Sequence, residues 1–594
     1  MREQWRSYRL LMGLGFRGAR TATITQLTAG VVMELAAPAT AYGGKLLVDA
    51  AVARDLHRGL IGATVLTLSV GIGLLAVILL CNSVFTVFDR AGQLADRRMM
   101  ELIGGAPGLA HHEQPDYLDQ IERIRSDRWR LGGMVNATSG MLRVAAMVAA
   151  SATLLARVNP ILLLLPVFGV ISFLAGKRAT DLWNAANEAT SEPERLRRHL
   201  FEITTASESG KELRVFGTGT ELLRRHHTTG REVIDIRNRA DWRGTILQAA
   251  SGFLSGLGYA GAIALVMWQA VRGSATAGDV VLAISLAATV NGIVFTAVAY
   301  GAQLLQGLKL GARFGWLEDY AAEHSGGPAD PVPAPARIEN GITFSGVSFH
   351  YPGTDRAVLA DATLTLPAGG VVALVGENGA GKTTLVKLLC RFYEPTSGRI
   401  TIDGTDLNRI PLEEWRERLS TTYQDHTPFE FRASENVGVG DLPRIDDDAA
   451  VLGALERAGA SGVVAALPGG LDTQLGKRWD DGVDLSGGQW QQLALGRGLM
   501  RDDPLLVVFD EPTSALDAQT EHDLFERFAA AARSGRGRGT VTLLVSHRFS
   551  TVRTADLIVV LAGGRIVESG NHRELMAAGG MYAELYSLQS RAYR

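Results

Sequence analysis

The sequence has only two cysteines among its 594 residues, Cys81 and Cys390. Two cysteines are too few for a disulfide framework or a cysteine-based zinc cluster. The chain also has no excess of basic over acidic residues, since its formal net charge is -3 at pH 7. Non-specific nucleic-acid binding requires a basic surface, so no nucleic-acid partner is expected. We also expect no cleavable signal peptide, because the basic, interrupted start lacks a small-residue cleavage site.

Long apolar segments are abundant in the first half of the chain. A helix needs about 20 apolar residues to cross a bilayer. Six segments approach that length, and the first is the weakest because Glu34 and Lys45 interrupt it. The predicted spans are 22–47, 60–86, 134–156, 160–180, 246–271 and 279–305.

The connections between these spans differ in length and charge. Loops after the second and fourth spans, near 87–133 and 181–245, are long, polar and rich in arginine, as is the N-terminal segment. The positive-inside rule places all three in the cytoplasm. We therefore predict a multi-pass protein of the cytoplasmic membrane. Two patches at the turning points, 115–119 and 210–217, are candidates for docking on a cytoplasmic domain, although each is also consistent with a solvated helix face.

Two ionisable residues, Glu34 and Arg143, lie inside apolar segments. Charged groups at membrane depth are costly and usually face a bundle interior or a water-filled cavity. They line a translocation pathway, form a structural pair or lie near the interface with their charged ends in water, and the sequence leaves these interpretations open.

A segment rich in proline and glycine, 325–335, separates this half from a second half of different character. Beyond it, strand-like runs at 342–349, 371–375, 399–402, 505–509, 541–545 and 557–561 alternate with helical stretches. The predicted domains are a membrane domain (1–320), a linker (321–337) and an α/β domain (338–594).

Residues 376–384 fit the phosphate-loop pattern G-x-x-x-x-G-K-[ST], between an apolar strand and a helix. Glycines let backbone N–H groups approach phosphate oxygens, and the helix N-terminus adds partial positive charge. The Lys382 amine is expected to reach the β- and γ-phosphates, and the Thr383 hydroxyl to bind Mg²⁺. The predicted nucleotide-binding residues here are Gly376, Asn378, Gly379, Ala380, Gly381, Lys382, Thr383 and Thr384.

A second apolar strand, 505–509, ends in two carboxylates. Asp510 is positioned to hold Mg²⁺ through water, and Glu511 to orient and deprotonate the attacking water. Upstream, Ser486 and Gly488 open another helix and provide a second phosphate cradle, a weak signal by itself because turns also use Ser-Gly-Gly.

In this order the motifs resemble the nucleotide-binding domain of ABC transporters, and the whole chain resembles an exporter-type half-transporter. The α/β domain (338–594) is then a nucleotide-binding domain. The predicted fold is a membrane bundle of six transmembrane helices followed by an α/β P-loop NTPase domain with a helical subdomain. The resemblance rests on an A-loop aromatic at Tyr351, Walker A at 376–384, a Q-loop at Gln424, a signature from Leu485 to Gln489 and Walker B at 505–511. A D-loop, Ser514 to Asp517, and a switch histidine, His547, follow.

The resemblance implies roles that residue chemistry alone leaves open. Tyr351 would stack on adenine, and Gln424 would ligate Mg²⁺ and sense the membrane domain. His547 would contact the γ-phosphate and position Glu511. Family members bind each ATP between one chain's Walker A and the signature of another, with Ser486, Gly488, Gln489 and Asp517 at that interface. A single copy of each motif therefore implies a homodimer or a pair with a related half-transporter.

The resemblance has departures. Trp490 and Gln492 stand where the family usually has polar or basic residues and then an arginine, and residues 476–482 lack the usual acidic pattern. Their effect on turnover is left open.

Together these features predict an ATP hydrolase coupled to transport, with ATP and Mg²⁺ as cofactors. The expected function is export of a hydrophobic, peptide-like or small natural-product substrate by alternating access. The alternatives are a lipid or lipid-linked flippase and a nucleotide-gated channel or regulatory membrane protein. Substrate identity does not follow from the sequence.

Overall fold

The computed structural model describes residues 2–127, 130–206, 209–324, 326–328, 330–511, 539–546 and 552–592. The chain forms two compact units. The first comprises Met1–Gly104 and Gln120–Ala321, and the second comprises Gly105–Asp119 and Ala322–Arg594. The tip of the first long loop thus belongs with the second unit.

Long helices build the first half. They are α1 (Arg2–Ala53), α2 (Leu56–Gly104), α3 (Ala110–Glu113), α4 (Pro115–Asp127), α5 (Gly133–Val158), α6 (Leu165–Ala189), α7 (Ser191–Thr205), α8 (Gly210–Val215), α9 (Gly219–Val271) and α10 (Ala277–His324). A 3-10 turn, Pro160–Leu164, precedes α6. The backbone of Ala19 is non-helical (φ -151°, ψ 64°) and divides α1 into an N-terminal segment and a longer helix.

Among the described residues, four helical stretches are long and apolar enough to cross a bilayer: Leu56–Gly104, Gly133–Val158, Pro160–Ala189 and Gly219–Val271. They contain four of the six predicted spans. The other two, 22–47 and 279–305, lie within α1 and α10, which have 52 and 48 residues. Helices α2 and α9 extend from their apolar parts into the long polar loops.

Close helix contacts in the first unit depend on small residues. A Cβ atom on Gly43 of α1 would lie 2.8 Å from the backbone nitrogen of Leu66 on α2. Likewise, a Cβ atom on Gly62 of α2 would lie 2.8 Å from the nitrogen of Leu47 on α1. Glycine at both positions lets the two backbones touch, which is how helices pack in lipid without a hydrophobic driving force.

The second unit contains two sheets. Their strands are β1 (Gly341–Phe349), β2 (Leu359–Pro367), β3 (Val371–Gly376), β4 (Ser397–Ile402), β5 (Thr405–Asp406), β6 (Leu419–Thr422), β7 (Leu506–Asp510), β8 (Val541–Val545), β9 (Leu557–Ala562) and β10 (Arg565–Gly570). The smaller sheet has the order β2-β1-β4-β5 and is antiparallel, and the larger has the order β10-β9-β3-β8-β7-β6. In the larger sheet, all pairs are parallel except β9 with β10.

Short helices surround these sheets. They are α11 (Lys382–Leu389), α12 (Leu412–Glu417), α13 (Ala433–Gly438), α14 (Asp448–Arg457), α15 (Ser461–Ala465), α16 (Gly487–Gly498), α17 (His572–Ala578) and α18 (Met581–Ala592). One face of β3 packs into a core with α11 and the smaller sheet. Its other face joins a core that includes α13, α14 and α16. Because apolar residues cover both faces, β3 reads as a continuous apolar run in the sequence.

The loop tip Gly105–Asp119 is packed on the second unit. The Leu109 N–H donates to the Phe392 carbonyl at 3.3 Å, and the Arg416 guanidinium donates to the Pro107 carbonyl. Glu113 accepts a hydrogen bond from Lys387 Nζ at 2.7 Å and another from the Tyr393 hydroxyl. The docking patch predicted at 115–119 thus lies beside these contacts, which are made by the residues just before it.

Candidate nucleotide-binding site

The phosphate loop connects β3 to α11 at the centre of the larger sheet. Gly376 has φ +152°, and a Cβ atom there would lie 2.2 Å from the Leu561 carbonyl oxygen of the adjacent strand. Gly381, directly before α11, has φ +104° in the left-handed region. Side chains at either position would be strained or blocked, so these two glycines are required by the backbone path. The loop presents the N-terminus of α11, a natural binding position for phosphate.

Lys382 is the first residue of α11 and is only 6% exposed. Its Nζ atom donates to the carbonyls of Gly376 at 2.8 Å and Glu377 at 3.0 Å. Burial lowers the pKa of this amine, while the Glu511 and Asp510 carboxylates oppose the shift. The amine is thus held inside the loop that is predicted to surround the phosphates.

Strand register brings the acidic residues to the same edge of the sheet. Leu374 of β3 and Asp510 of β7 both pair with Val545 of the intervening strand β8. Since these strands are parallel, their carboxyl ends meet where the phosphate loop begins.

Asp510 provides a test of whether a divalent cation fits here. The side chain is 2% exposed, and its Oδ1 atom has no hydrogen-bond partner among the described residues. Burial and the neighbouring Glu511 carboxylate raise the pKa of Asp510 to about 6, although a hydrogen bond with Thr383 and the charge of Lys382 act in the opposite direction. A buried carboxylate oxygen beside a hydroxyl fits the oxygen ligands that Mg²⁺ prefers.

Glu511 has an unusual backbone. Its φ is +48°, and its N–H donates to the Val545 carbonyl at 2.9 Å. A non-glycine residue in the left-handed region costs about 1–3 kcal/mol and commonly occurs at functional sites. Sequence motifs placed Glu511 next to Asp510 but contained no signal for this conformation.

Tyr351, the predicted adenine-stacking residue, is part of an aromatic cluster. Its hydroxyl lies 3.0 Å from Thr384 Oγ1, and its ring meets Tyr393 edge-on at 5.4 Å between centroids. Lys387 Nζ lies 5.1 Å from the centre of the Tyr351 ring. Glu113 bonds to Lys387, Lys387 lies over the Tyr351 ring, and the Tyr351 hydroxyl contacts Thr384 of the phosphate loop. The docked loop tip is thus connected to the phosphate loop through side chains. The sequence analysis did not identify Glu113, Lys387 or Tyr393, although the docking patch at 115–119 lies close to Glu113.

The signature segment forms the start of α16. Ser486 is the N-cap: its Oγ accepts from the Gln489 N–H at 3.3 Å, and the Gln489 side chain accepts from the Ser486 N–H at 2.9 Å. Ser486 is exposed and Gly488 is partly exposed, so this N-terminus is available to a ligand. Trp490 packs against the apolar core of the helical subdomain, which accounts for an aromatic residue at that position.

The remaining predicted site residues differ in their exposure to solvent, and two of them are not described by the structure. Gln424 is exposed just after β6. Gly379 has φ +79° within the phosphate loop, and Ala380 is buried below it. His547 and Asp517 lie outside the described residues.

Glu34 and Arg143, the pair singled out from the sequence, contact each other. Arg143 donates to Glu34 Oε1 from Nη2 at 2.7 Å and from Nε at 3.1 Å, and its Nη1 donates to the Tyr300 hydroxyl at 3.1 Å. The Arg143 and Glu34 side chains are 15% and 22% exposed. This ion pair joins α1, α5 and α10.

Comparison with known proteins supports the nucleotide site. Residues 359–514 match the family model described as ABC transporter. Over 348 residues the chain is 36% identical to an ATP-dependent lipid A-core flippase from Burkholderia pseudomallei, covering 58% of this chain and 56% of that protein. It is 45% identical over 255 residues to a protein of the same name from Ralstonia nicotianae, covering 43% and 41%. The chain thus spans about half the length of the curated relatives it matches.

A solved structure extends the likeness over the whole chain. The structure of a bacterial Atm1-family ABC exporter with ATP bound aligns with a TM-score of 0.72 and 26% sequence identity, covering 97% of this chain and 98% of that one. The predicted fold class is therefore confirmed. Residues 359–514 thus form an ABC transporter domain, and the chain has the fold of an ABC exporter, in which a membrane domain is fused to an ATP-binding domain.

Proposed function

We propose that this protein hydrolyses ATP to move a hydrophobic substrate outward across the cytoplasmic membrane, with its N-terminus and ATP-binding domain in the cytoplasm. The observation that carries the proposal is the meeting of the phosphate loop, the buried Asp510 carboxylate and the strained Glu511 at one sheet edge. That edge belongs to a chain with several helices long and apolar enough to cross a bilayer.

The residues divide the work on ATP as follows. The phosphate-loop N–H groups and the Lys382 amine bind the β- and γ-phosphates, which requires Lys382 to leave the carbonyls of Gly376 and Glu377. Thr383, Asp510 and Gln424 would hold Mg²⁺, which neutralises phosphate charge when bound. Glu511 orients and deprotonates the attacking water.

The proposal also requires that two chains act together as a dimer. The exposed N-terminus of α16 is well suited to bind the γ-phosphate of ATP on a second copy. Closing of the pair around ATP would then drive the membrane helices between inward-facing and outward-facing states. ATP shifts this equilibrium only if it binds the closed pair more tightly than the open one.

A second contact between copies is suggested by an exposed apolar pair on α8 and by a cavity of the second unit that has aromatic residues in its lining. Val215 and Phe216, at the end of α8, are 80% and 70% exposed. The second unit has a cavity of about 380 Å³ lined by the aromatic residues Phe392, Tyr423 and Phe429. We assign this cavity of one chain as the docking site for α8 of the other.

Cysteine cross-linking tests this assignment. Phe216→Cys and Phe429→Cys would be introduced together after replacing the native cysteines. The proposal predicts covalent dimers in electrophoresis, and the single variants give the matched controls. Cross-links confined within one chain would contradict it.

The substrate class rests on the membrane half. Within the first unit, α5 and α6 line a cavity of about 270 Å³ with residues such as Val148, Leu155 and Phe173, and Ser151 is among its few polar residues. Such a cavity suits a hydrophobic molecule better than a charged solute. Peptide-like and small natural-product substrates fit this class.

A lipid or lipid-linked flippase is the second candidate. It is favoured because the relatives matched over about half of their length are named as lipid A-core flippases. A screen of ATPase stimulation in reconstituted protein separates the candidates: lipid-dependent stimulation without response to soluble compounds supports a flippase, and stimulation by peptides or hydrophobic drugs supports a general exporter.

The basic test of the proposal is hydrolysis by purified protein. Lys382→Ala should reduce ATP turnover by about 100-fold or more, since it removes charge stabilisation from the transferred phosphoryl group. Arg565→Ala is the control, because Arg565 is exposed on β10, an edge strand of the larger sheet. Turnover of Lys382→Ala at the wild-type rate would remove the phosphate-loop assignment.

A further inference from the structure

Lys387 is a positively charged residue that the proposed hydrolysis leaves without a role. It lies on α11 three positions after Thr384, so both side chains are on one face of that helix. Its side chain is 23% exposed, and its Nζ atom donates to the Glu113 carboxylate at 2.7 Å. The same atom lies 5.1 Å from the centre of the Tyr351 ring. One amine therefore contacts both the docked loop tip and the predicted adenine-stacking residue.

Other aromatic rings fix the tilt of Tyr351 without stacking on it. Phe349 and Tyr393 meet the Tyr351 ring at interplanar angles of 79° and 86°, with centroid distances of 5.1 and 5.4 Å. The Tyr351 hydroxyl lies 3.0 Å from Thr384 Oγ1 and so ties the outer end of the ring to α11. Because neither neighbouring ring is parallel to Tyr351, a flat base can adopt the offset-stacked geometry that aromatic rings favour.

The Lys387 amine is charged at neutral pH. Burial by itself would lower the pKa of Lys387, but the Glu113 carboxylate and the Tyr351 side chain outweigh burial and raise it. A cation near an aromatic ring is attracted by the negative charge of the ring faces. Lys387 thus adds an electrostatic contact to those that Thr384 and the neighbouring rings make with Tyr351, and Glu113 fixes the amine that makes it.

Docking of the loop tip and the order of the Tyr351 ring therefore depend on the same side chain. When the tip undocks, Lys387 loses the carboxylate that fixes its amine, and Tyr351 loses a fixed neighbour. A base that stacks on a less ordered ring binds more weakly, because the ring must be ordered during binding. By linkage, a base that binds the docked form more tightly shifts the tip towards docking by the same factor.

We propose that Lys387 is a positioning residue for the adenine base: with its amine fixed by Glu113, it holds Tyr351 for stacking, so that base binding and docking of the loop tip strengthen each other. The inference rests on the proposed function, because it requires an adenine nucleotide at this site. The residues of the proposed hydrolysis act on phosphate, Mg²⁺ and water, whereas Lys387 acts on the base. Phosphate groups without a base should therefore leave the tip unaffected.

Calorimetric titration of the purified full-length protein tests the effect on the base. MgADP is the probe, because it carries adenine but lacks the γ-phosphate that is proposed to bring two chains together. Magnesium pyrophosphate is the matching probe without a base. A cation–π contact at a partly exposed site changes an equilibrium by about two- to fivefold, so Lys387→Met should weaken MgADP binding by about that factor. Its affinity for pyrophosphate should equal that of the wild type, which also shows that the phosphate loop is folded.

Two further variants separate the charge of Lys387 from general effects. Lys387→Arg retains a cation and hydrogen-bond donors, so it should retain most of the MgADP affinity. Arg565→Met removes one positive charge from an exposed residue of β10, the edge strand of the larger sheet, and should bind both probes as the wild type does.

Hydrogen exchange in peptides covering 105–119 tests the link to the loop tip. Saturating MgADP should slow this exchange by about two- to fivefold in the wild type, since the base favours docking by the factor that docking gives the base. The slowing should be absent in Lys387→Met, and pyrophosphate should cause none in either protein.

Each contrary outcome is specific. The proposal is overturned by unchanged MgADP affinity in Lys387→Met, by equal loss of MgADP and pyrophosphate affinity, or by slowing with MgADP that persists in this variant. Slowing by pyrophosphate would also overturn it, because the phosphates would then be the cause. A wild type that neither binds MgADP nor hydrolyses ATP would overturn the proposed function as well, whereas the other outcomes leave that function intact.

Discussion

Glu113 is the residue through which the docked loop tip contacts the nucleotide side of the second unit. Its carboxylate accepts hydrogen bonds from Lys387 Nζ at 2.7 Å and from the Tyr393 hydroxyl. Burial alone would raise the pKa of Glu113, but the hydrogen bonds from Lys387 and Tyr393 outweigh burial and hold that pKa below its ordinary value. The residue is therefore charged at neutral pH, and we predict that its charge helps to hold the loop tip in place.

The substitution Glu113→Gln removes the charge and preserves the shape. A hydrogen bond to a charged group contributes about 1.5–3 kcal/mol, and a neutral one about 1 kcal/mol. Because the Glu113 side chain is 40% exposed, solvent screening reduces the expected loss to about 1 kcal/mol. That loss corresponds to about a fivefold shift from the docked towards the undocked loop tip.

Hydrogen exchange measured by mass spectrometry reports this equilibrium directly, because the Leu109 N–H bonds to the Phe392 carbonyl only when the tip is docked. Peptides covering 105–119 should exchange about five times faster in Glu113→Gln, with peptides from β3 unchanged. Glu101→Gln is the control, because Glu101 bonds to Arg97 and Arg98 on its own helix. Wild-type exchange in Glu113→Gln, or equal acceleration in Glu101→Gln, would refute the reasoning.

Three further predictions concern a pH response, a catalytic group and the membrane ion pair. Burial lowers the pKa of His111 to about 4, so protonation of this histidine favours the undocked tip. Docking is therefore strongest above the ordinary histidine pKa of about 6.5 and weakens as pH falls towards 4. Exchange in 105–119, corrected for its intrinsic rate, should therefore be faster at pH 5 than at pH 7, and His111→Asn should abolish the difference. Glu511→Gln should bind ATP but hydrolyse it about 100-fold more slowly or worse, measured as phosphate release, and a parental rate would mean that another base acts. Glu34→Ala should lower the melting temperature, because it leaves Arg143 unpaired at a cost of about 3 kcal/mol. The double variant Glu34→Leu/Arg143→Met should recover most of that stability. Equal destabilisation by the single and the double variant would contradict a structural pair.

Local sequence patterns account for the elements that form the candidate nucleotide site. The phosphate loop, β7 and the cap at Ser486 each follow from neighbouring residues, because glycine conformation, an apolar run and a capping box are short-range effects. Strand β2 was not predicted, although its buried leucines Leu364 and Leu366 alternate with threonines in the pattern of a half-buried strand. Strand β6 has four residues and is stabilised by its partner β7.

Features that depend on contacts between distant parts of the chain could not be predicted from local sequence patterns. Glu113 and Lys387 are separated by 274 positions, so no local pattern joins them. The positive φ of Glu511 depends on its bond to the next strand, and the break at Ala19 occurs inside a sequence with good helical periodicity. In each case tertiary packing decides the conformation.

The claim that ATP hydrolysis by the second unit drives movement through the first is tested most directly in sealed vesicles. Protein reconstituted with its nucleotide site outward would receive ATP, and translocation of the best stimulating compound from the ATPase screen would be followed together with phosphate release. The account predicts translocation that requires ATP and is lost with hydrolysis in Glu511→Gln. Translocation that continues at the wild-type rate in that variant, or hydrolysis by the wild type that never moves any stimulating compound, would contradict it.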